Sequence, residues 1–305
     1  MALPEPLPAS LADPPRPRVL WIGATAGPEL RLAHSWLVER AQLIVADTPG
    51  ASVTLATAAG EFSGPALVVF ATDRPGRWSL ADALLIARKW PLAPIVSVAT
   101  SLVDGRRRSG PPLPGVEEIA WHDLPGRLDG WLTALAAGRP GPLGMPTTTR
   151  REERLLAATD AAREGREDQA DRARGLPISV AAAQAGDLEG LVDLLALCGR
   201  RIVRQTCGRP RLDDPAAVLI WDVGSLEHED LAWLRMLAAN RPGLGIVILE
   251  SFPRGDSTEA ALRAGARAVL GRPIALEALA GTLARLETQL PMGPPTGLGP
   301  AREHC

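Results

Sequence analysis

Asp222 closes a continuous apolar run, Ala216-Ala-Val-Leu-Ile-Trp221. Two more apolar runs follow, each ending on a polar group: Ile246-Val-Ile-Leu-Glu-Ser251, then Ala268-Val-Leu270 before Arg272-Pro273. A carboxylate, a hydroxyl and a guanidinium at successive strand ends have two chemistries open to them. The carboxylate can accept a phosphoryl group, which requires positive charge to stabilise the transferring oxygens. Alternatively it pairs with the guanidinium, which keeps its proton through the neutral range, and does no chemistry. Arg272 correspondingly reads as an anion ligand or as half of an ion pair, and Ser251 as a phosphate contact or a loop cap. Asp187 and Asp193 lie on a helix upstream. Roles on its solvated face are expected for both.

Other residues with chemical potential form no constellation. His34, His122, His228 and His304 are isolated, and no Ser/His/Asp motif accompanies them. Cys198, Cys207 and Cys305 have no metal-ligand spacing, and an odd count is a poor disulfide framework. Lys89 is the only lysine, so lysine general-base chemistry would have to use it. Gly23-Ala-Thr-Ala-Gly27 follows an apolar run, and Asp47 stands where a ribose carboxylate would. Thr25 and Pro28 occupy positions where the dinucleotide fingerprint wants glycine. Arg106, Arg107 and Arg108 read as a solvated loop or, less favourably, as an anion or partner site.

The elements that must position these groups divide the 305 residues into two domains. A Pro-rich arm (1–17) precedes a first domain (18–138). A charged connector (139–176) follows, expected to be a solvated helix or a disordered linker. The second domain (177–290) precedes a Pro/Gly-rich tail (291–305). In the second domain, apolar strands alternate with amphipathic helices. Ile178–Ala182, Arg201–Arg204, Ala216–Trp221, Gly245–Leu249 and Ala268–Leu270 are the strands. Helices are predicted near Asp187–Cys198, Leu231–Leu237, Ser257–Ala264 and Ile274–Leu286. Such alternation gives a parallel sheet with helices on both faces, and ligands bind at its C-terminal strand ends. The first domain shows the same alternation more faintly. Its strands are Arg18–Gly23, Gln42–Ala46, Ala66–Phe70 and Pro94–Val98, with helices over Glu29–Glu39 and Ala81–Lys89.

The second domain resembles the receiver of response regulators (the CheY-like family). Val218–Asp222 is similar to the third receiver strand, and Ile246–Ser251 to the fourth with its terminal Ser/Thr. Ala264-Gly-Ala-Arg-Ala-Val-Leu-Gly-Arg-Pro273 is similar to the Gly-Ala, strand and Lys-Pro signature. The resemblance makes Asp222 the phosphoacceptor equivalent, and Ser251, Arg272 and Pro273 the switch and phosphate contacts. It also places Ala182 and Ala183 where the family carries the acidic pair that helps hold Mg²⁺, and Val269 where it often carries an aromatic. With Asp222 as the only carboxylate left, Mg²⁺ would be weakly held. The first domain resembles a more decayed receiver, with Ala71 at the aspartate position and Asp73 close by. Its Ser101–Gly115 segment and Trp121-His122 resemble a motif of uncharacterised planctomycete proteins.

The expected fold is therefore α/β: two flavodoxin-like, three-layer domains with central parallel sheets. The expected role is a non-enzymatic pseudo-receiver in phosphorelay signalling, acting by protein–protein contact through Glu259, Arg263, Arg267 and Glu277. An active phosphoacceptor at Asp222 is the alternative, and a nucleotide-binding enzyme in the first domain a weaker one. The implied partners are other signalling proteins, a histidine kinase or a response regulator among them, and a homodimer stays open. A net charge of −2 argues against nucleic acid or an anionic membrane. No cofactor is expected, Mg²⁺ apart if Asp222 is phosphorylated. The N-terminus does not read as a signal peptide, and no apolar stretch has the ~20 residues needed to span a bilayer. The expected location is the cytoplasm.

Overall fold

The structure, a computed structural model, describes residues 16–58, 64–103, 113–136, 175–290 and 301–302. The Pro-rich arm before residue 16, Arg106–Arg108 and most of the connector and tail lie outside these residues. Each domain is built around a parallel sheet.

In the first domain the strands are β1 (Arg18–Ile22), β2 (Gln42–Ala46), β3 (Leu67–Thr72), β4 (Ile95–Ala99) and β5 (Glu117–Ala120), in spatial order β2-β1-β3-β4-β5. Helices α1 (Pro28–Val38), α2 (Pro49–Ala58), α3 (Leu80–Lys89) and α4 (Leu124–Ala136) connect them. Strand β3 is buried along its whole length, as a strand covered on both faces must be. Its alternate residues serve two cores. Leu67, Val69 and Ala71 meet Leu30, Leu37, Leu124 and Leu128 of α1 and α4. Val68 and Phe70 meet Trp78, Ala83, Ile86 and Trp90 on the α3 side. Only a short 3₁₀ turn, Ser101–Val103, is described between β4 and β5 before the chain leaves the described residues.

The second domain repeats the plan. Strands β6 (Ile178–Ala182), β7 (Ile202–Cys207), β8 (Val218–Gly224), β9 (Gly245–Glu250) and β10 (Ala266–Gly271) lie in the order β10-β9-β8-β6-β7. Two residues of the tail, Ala301–Arg302 (β11), pair parallel with Arg204 and Gln205 at the β7 edge. Helices α5 (Ala185–Leu197) and α8 (Leu276–Gln289) cover one face. Helices α6 (His228–Asn240) and α7 (Gly255–Arg263) cover the other. Reading each sheet by its own strand numbers gives the same order, 2-1-3-4-5, in both domains. Both are flavodoxin-like, as the alternation predicted.

Three first-domain elements were not predicted from sequence. Helix α4 contains Pro125, Gly126 and Gly130, poor helix formers except that Pro is tolerated in a first turn. Strand β5 has two glutamates among its four residues and a single fully buried side chain, Ile119. Helix α2 is made largely of small residues without an apolar stripe.

Helices α1 and α4 of the first domain pack against α7 and α8 of the second. The face expected to meet other proteins is therefore met first by this chain. Glu259 accepts a hydrogen bond from Arg31 Nη2 at 3.0 Å, whereas Arg263 and Arg267 remain exposed.

Candidate functional site

The in-register pairing of β6, β8 and β9 sets Ala182, Asp222 and Leu249 side by side at the C-terminal sheet edge. Four apolar residues precede Asp222 in β8, all buried among the helices. Burying them carries the carboxylate in with them, and its residue is 4% exposed. A charge so placed must be compensated. One carboxylate oxygen, Oδ1, accepts from the Gly224 backbone N–H at 3.1 Å and from Arg272 Nη1 at 3.3 Å. The other, Oδ2, lies 3.2 Å from Arg272 Nη1. Arg272 follows β10 and is tied to the neighbouring strand by its own N–H, which donates to the Glu250 carbonyl at 2.9 Å. The Arg272–Pro273 peptide is cis.

The guanidinium has a second partner. Its Nη2 donates to Asp187 Oδ1 at 2.6 Å. Asp187 sits in the first turn of α5, where negative charge also favours the helix N-terminus. The solvated role expected for Asp187 is therefore corrected: it belongs to the site. Arg272 lies between two carboxylates carried by two other elements. The sequence signal was available, since a first-turn aspartate right after β6 points across the same sheet edge. Asp193 lies farther along α5 and is exposed.

The electrostatics follow from this arrangement. Burial pushes the Asp222 carboxyl up from its ordinary range, against the opposing pull of Arg272 and the Gly224 N–H. The hydrogen bond to Asp187 holds the Arg272 guanidinium even more firmly protonated, despite some desolvation. Glu250, at the end of β9, is likewise pushed up by burial, with Ser257 Oγ donating to it at 3.2 Å.

Magnesium needs several oxygen ligands in near-octahedral array. Positions 182 and 183 are alanines, and both available carboxylates already point at a guanidinium. Among the described residues no group of three or more His, Cys, Asp or Glu could hold a metal ion. The donor set does not fit Mg²⁺. Ser251 is half-buried, and its backbone N–H donates to the Gly224 carbonyl at 2.7 Å. Among the described residues, the side-chain hydrogen bonds of Asp222 and Arg272 run to Gly224, Asp187 and each other, and the Ser251 hydroxyl takes no part in them. Val269 is a buried core residue.

The first domain has filled the equivalent place. Ala71 faces the α1/α4 side of its sheet, as Asp222 faces the α5/α8 side. Trp78 lies across the ends of β1 and β3. Its indole N–H donates to the Ala71 carbonyl at 2.9 Å, and its ring stacks on Phe70 at 5.3 Å between centroids. A Cβ on Gly23 would come within 2.8 Å of that indole. The pyrophosphate approach that a dinucleotide fingerprint needs is thus blocked at Gly23. Asp73 lies in the loop beyond, 3.5 Å from Arg74 and 3.8 Å from Arg77. His34 packs edge-on to Trp21 and is pushed down by burial, and His122 pairs with Asp123 at 3.0 Å. Neither joins a catalytic cluster.

A parallel sheet in this order, with an aspartate ending the third strand and Arg-Pro after the fifth, decides the fold. Solved structures similar to parts of the chain include two pilus-assembly proteins and a CheY-like protein. A pilus assembly protein of Burkholderia thailandensis E264 matches at 31% identity and TM-score 0.36, over 37% of this chain and 99% of that one. A pilus assembly-related protein of Burkholderia pseudomallei K96243 matches at 28% identity and TM-score 0.37, over 39% and 95%. A CheY-like protein of Pseudomonas aeruginosa PAO1 matches at 25% identity and TM-score 0.30, over 36% and 98%. No family model matches the chain, and no curated protein does. Among the described residues, no helix is long and apolar enough to cross a membrane.

Proposed function

We propose that this chain is a response-regulator-like signalling protein whose second domain is a pseudo-receiver, working by protein–protein contact and not by phosphotransfer. One observation carries the reading: Arg272 holds Asp222 and Asp187 together. A receiver's aspartate must be free to attack a phosphoryl donor while a cation gathers the transferred oxygens. Here the resident guanidinium neutralises the attacking carboxylate itself, and the metal ligands are alanines. Burial opposes the reaction further, because the ionised nucleophile is the form it disfavours. The chain itself would carry out no catalysis. Its partners would be cytoplasmic signalling proteins, a kinase or a regulator, read by a surface held in one state.

The test is to incubate the full chain with a small phosphodonor such as acetyl phosphate and excess Mg²⁺, following intact mass. The account predicts unmodified protein for wild type and Asp222→Asn alike. A phosphoryl adduct on wild type that Asp222→Asn abolishes would establish the active phosphoacceptor instead.

A further inference from the structure

We propose that the α7–β10–α8 face of the second domain is a docking surface whose partner is the first domain of the same chain, presented by α1 and α4. The surface is cut to fit that partner at three separate places. Where α4 crosses α8, the two backbones touch. A Cβ on Gly281 would overlap the Gly126 carbonyl, and a Cβ on Gly126 would overlap the Ala278 carbonyl and the Thr282 hydroxyl. At the start of α7, a Cβ on Gly255 would overlap Pro28 and the Glu29 backbone at the start of α1. At the end of β10, Gly271 lies beneath the His122 ring, which a side chain there would strike. Glycine costs a helix about 1 kcal/mol relative to alanine. Its presence in both helices at the point of crossing has a reason in this contact.

The polar groups around the contact agree with it. Thr282 is 1% exposed, so the helix face that carries it is covered. Ser101 donates to Glu29 through its backbone N–H at 2.7 Å and its hydroxyl at 2.6 Å, and Arg254 Nη1 of the second domain reaches the Ser101 hydroxyl at 3.4 Å. On α8, Arg285 is half-buried, with its protonated form disfavoured by desolvation, beside the Arg40 and Asp129 pair of the first domain. The Arg31–Glu259 bridge is largely exposed. The pair itself contributes little, but reversing one of its charges sets two like charges 3.0 Å apart in the docked state and so reports on the contact. The close backbone packing at α4 and α8 supplies the affinity.

The first domain is thus the resident partner of the second. Any other protein that needs the α7–β10–α8 face must displace it. This holds whether or not Asp222 is phosphorylated. The test uses the full chain with a protease site placed in segment 137–174 and cut under native conditions. The two halves are expected to co-elute on gel filtration at micromolar concentration, and Gly281→Leu to make them elute apart while circular dichroism stays unchanged. Separation of the cut wild type, or continued co-elution of a folded Gly281→Leu protein, would overturn the proposal. Should Gly281→Leu unfold the second domain, Arg31→Glu replaces it. That variant should weaken association several-fold in low salt, and Arg31→Glu with Glu259→Arg should restore it. An unchanged association in the single variant would then count against the docking surface.

Discussion

At the C-terminal edge of the first sheet an indole lies over β1 and β3, and at the same edge of the second a guanidinium lies between two carboxylates. The two domains share one strand order, and the groups at that edge differ. In the first, Trp78 packs on Phe70 and donates its indole N–H to the Ala71 carbonyl, and Ala71 stands where Asp222 stands in the second. In the second, the Arg272 guanidinium is hydrogen-bonded to both Asp222 and Asp187. The first edge is held by aromatic packing, the second by ion pairs among three charged side chains. Asp222 and Arg272 carry the resemblance of the second domain, and the first has Ala71 at the aspartate position.

Substitutions at the two edges can sharpen the contrast or break it. Trp78→Ala should have the largest effect, a loss of about 3–5 kcal/mol from the cavity left over β1 and β3. Chemical denaturation should show that loss with little dependence on pH. Arg272→Ala should cost about 3 kcal/mol at neutral pH, because it strands a buried charge at Asp222. Here the pH dependence is the diagnostic. Without its partner the Asp222 carboxyl rises further, so the penalty should shrink as acid protonates it. Equal penalties at pH 4 and pH 7 would show that Arg272 serves packing alone.

Asp222→Asn should have a smaller effect of opposite sense. In the folded protein the carboxyl is raised above its unfolded value. The folded state therefore binds the extra proton, and this contribution is full below the unfolded range near ~3.9 and lost as pH rises through the folded value. At neutral pH the ionised form is the costly one. Asp222→Asn should be neutral or stabilising by up to about 1 kcal/mol, and should flatten the fall in stability with rising pH. A marked loss at pH 7 would mean that the pair outweighs the burial. Arg31→Ala should be the least consequential, under about 1 kcal/mol, since both partners in that bridge are substantially exposed.

Much of the second domain was legible because its strands are buried on both faces and so read as unbroken apolar runs. Val218–Trp221 and Ile246–Leu249 are examples. The meeting of Asp222 with Arg272 was legible too, as one of two readings, because both stand at the C-terminal ends of strands that lie in the same sheet. Asp187 was misplaced for a physical reason. A helix-borne carboxylate looks solvated by periodicity, and what brings it to Arg272 is its place in the first turn of α5, beside the sheet edge. Trp78 gave no sign of its role, since an aromatic after a Pro-Gly turn is equally at home in any core. The glycines of α4 and α8 weakened the helix signal at Gly126 and Gly281, because the quality they serve is contact with another domain. A propensity argument sees only the cost.

The central claim is that Arg272 occupies the edge of the second sheet to the exclusion of a metal-bound phosphoryl group. Titrating the full chain with beryllofluoride and Mg²⁺, which together mimic an acyl phosphate, tests it most directly. Tryptophan emission reports the site because Trp221 adjoins Asp222, with Asp222→Ala as the control. The account predicts no saturable Mg²⁺-dependent change up to millimolar metal. A saturable change that disappears in Asp222→Ala would contradict it, and would make the second domain a working receiver.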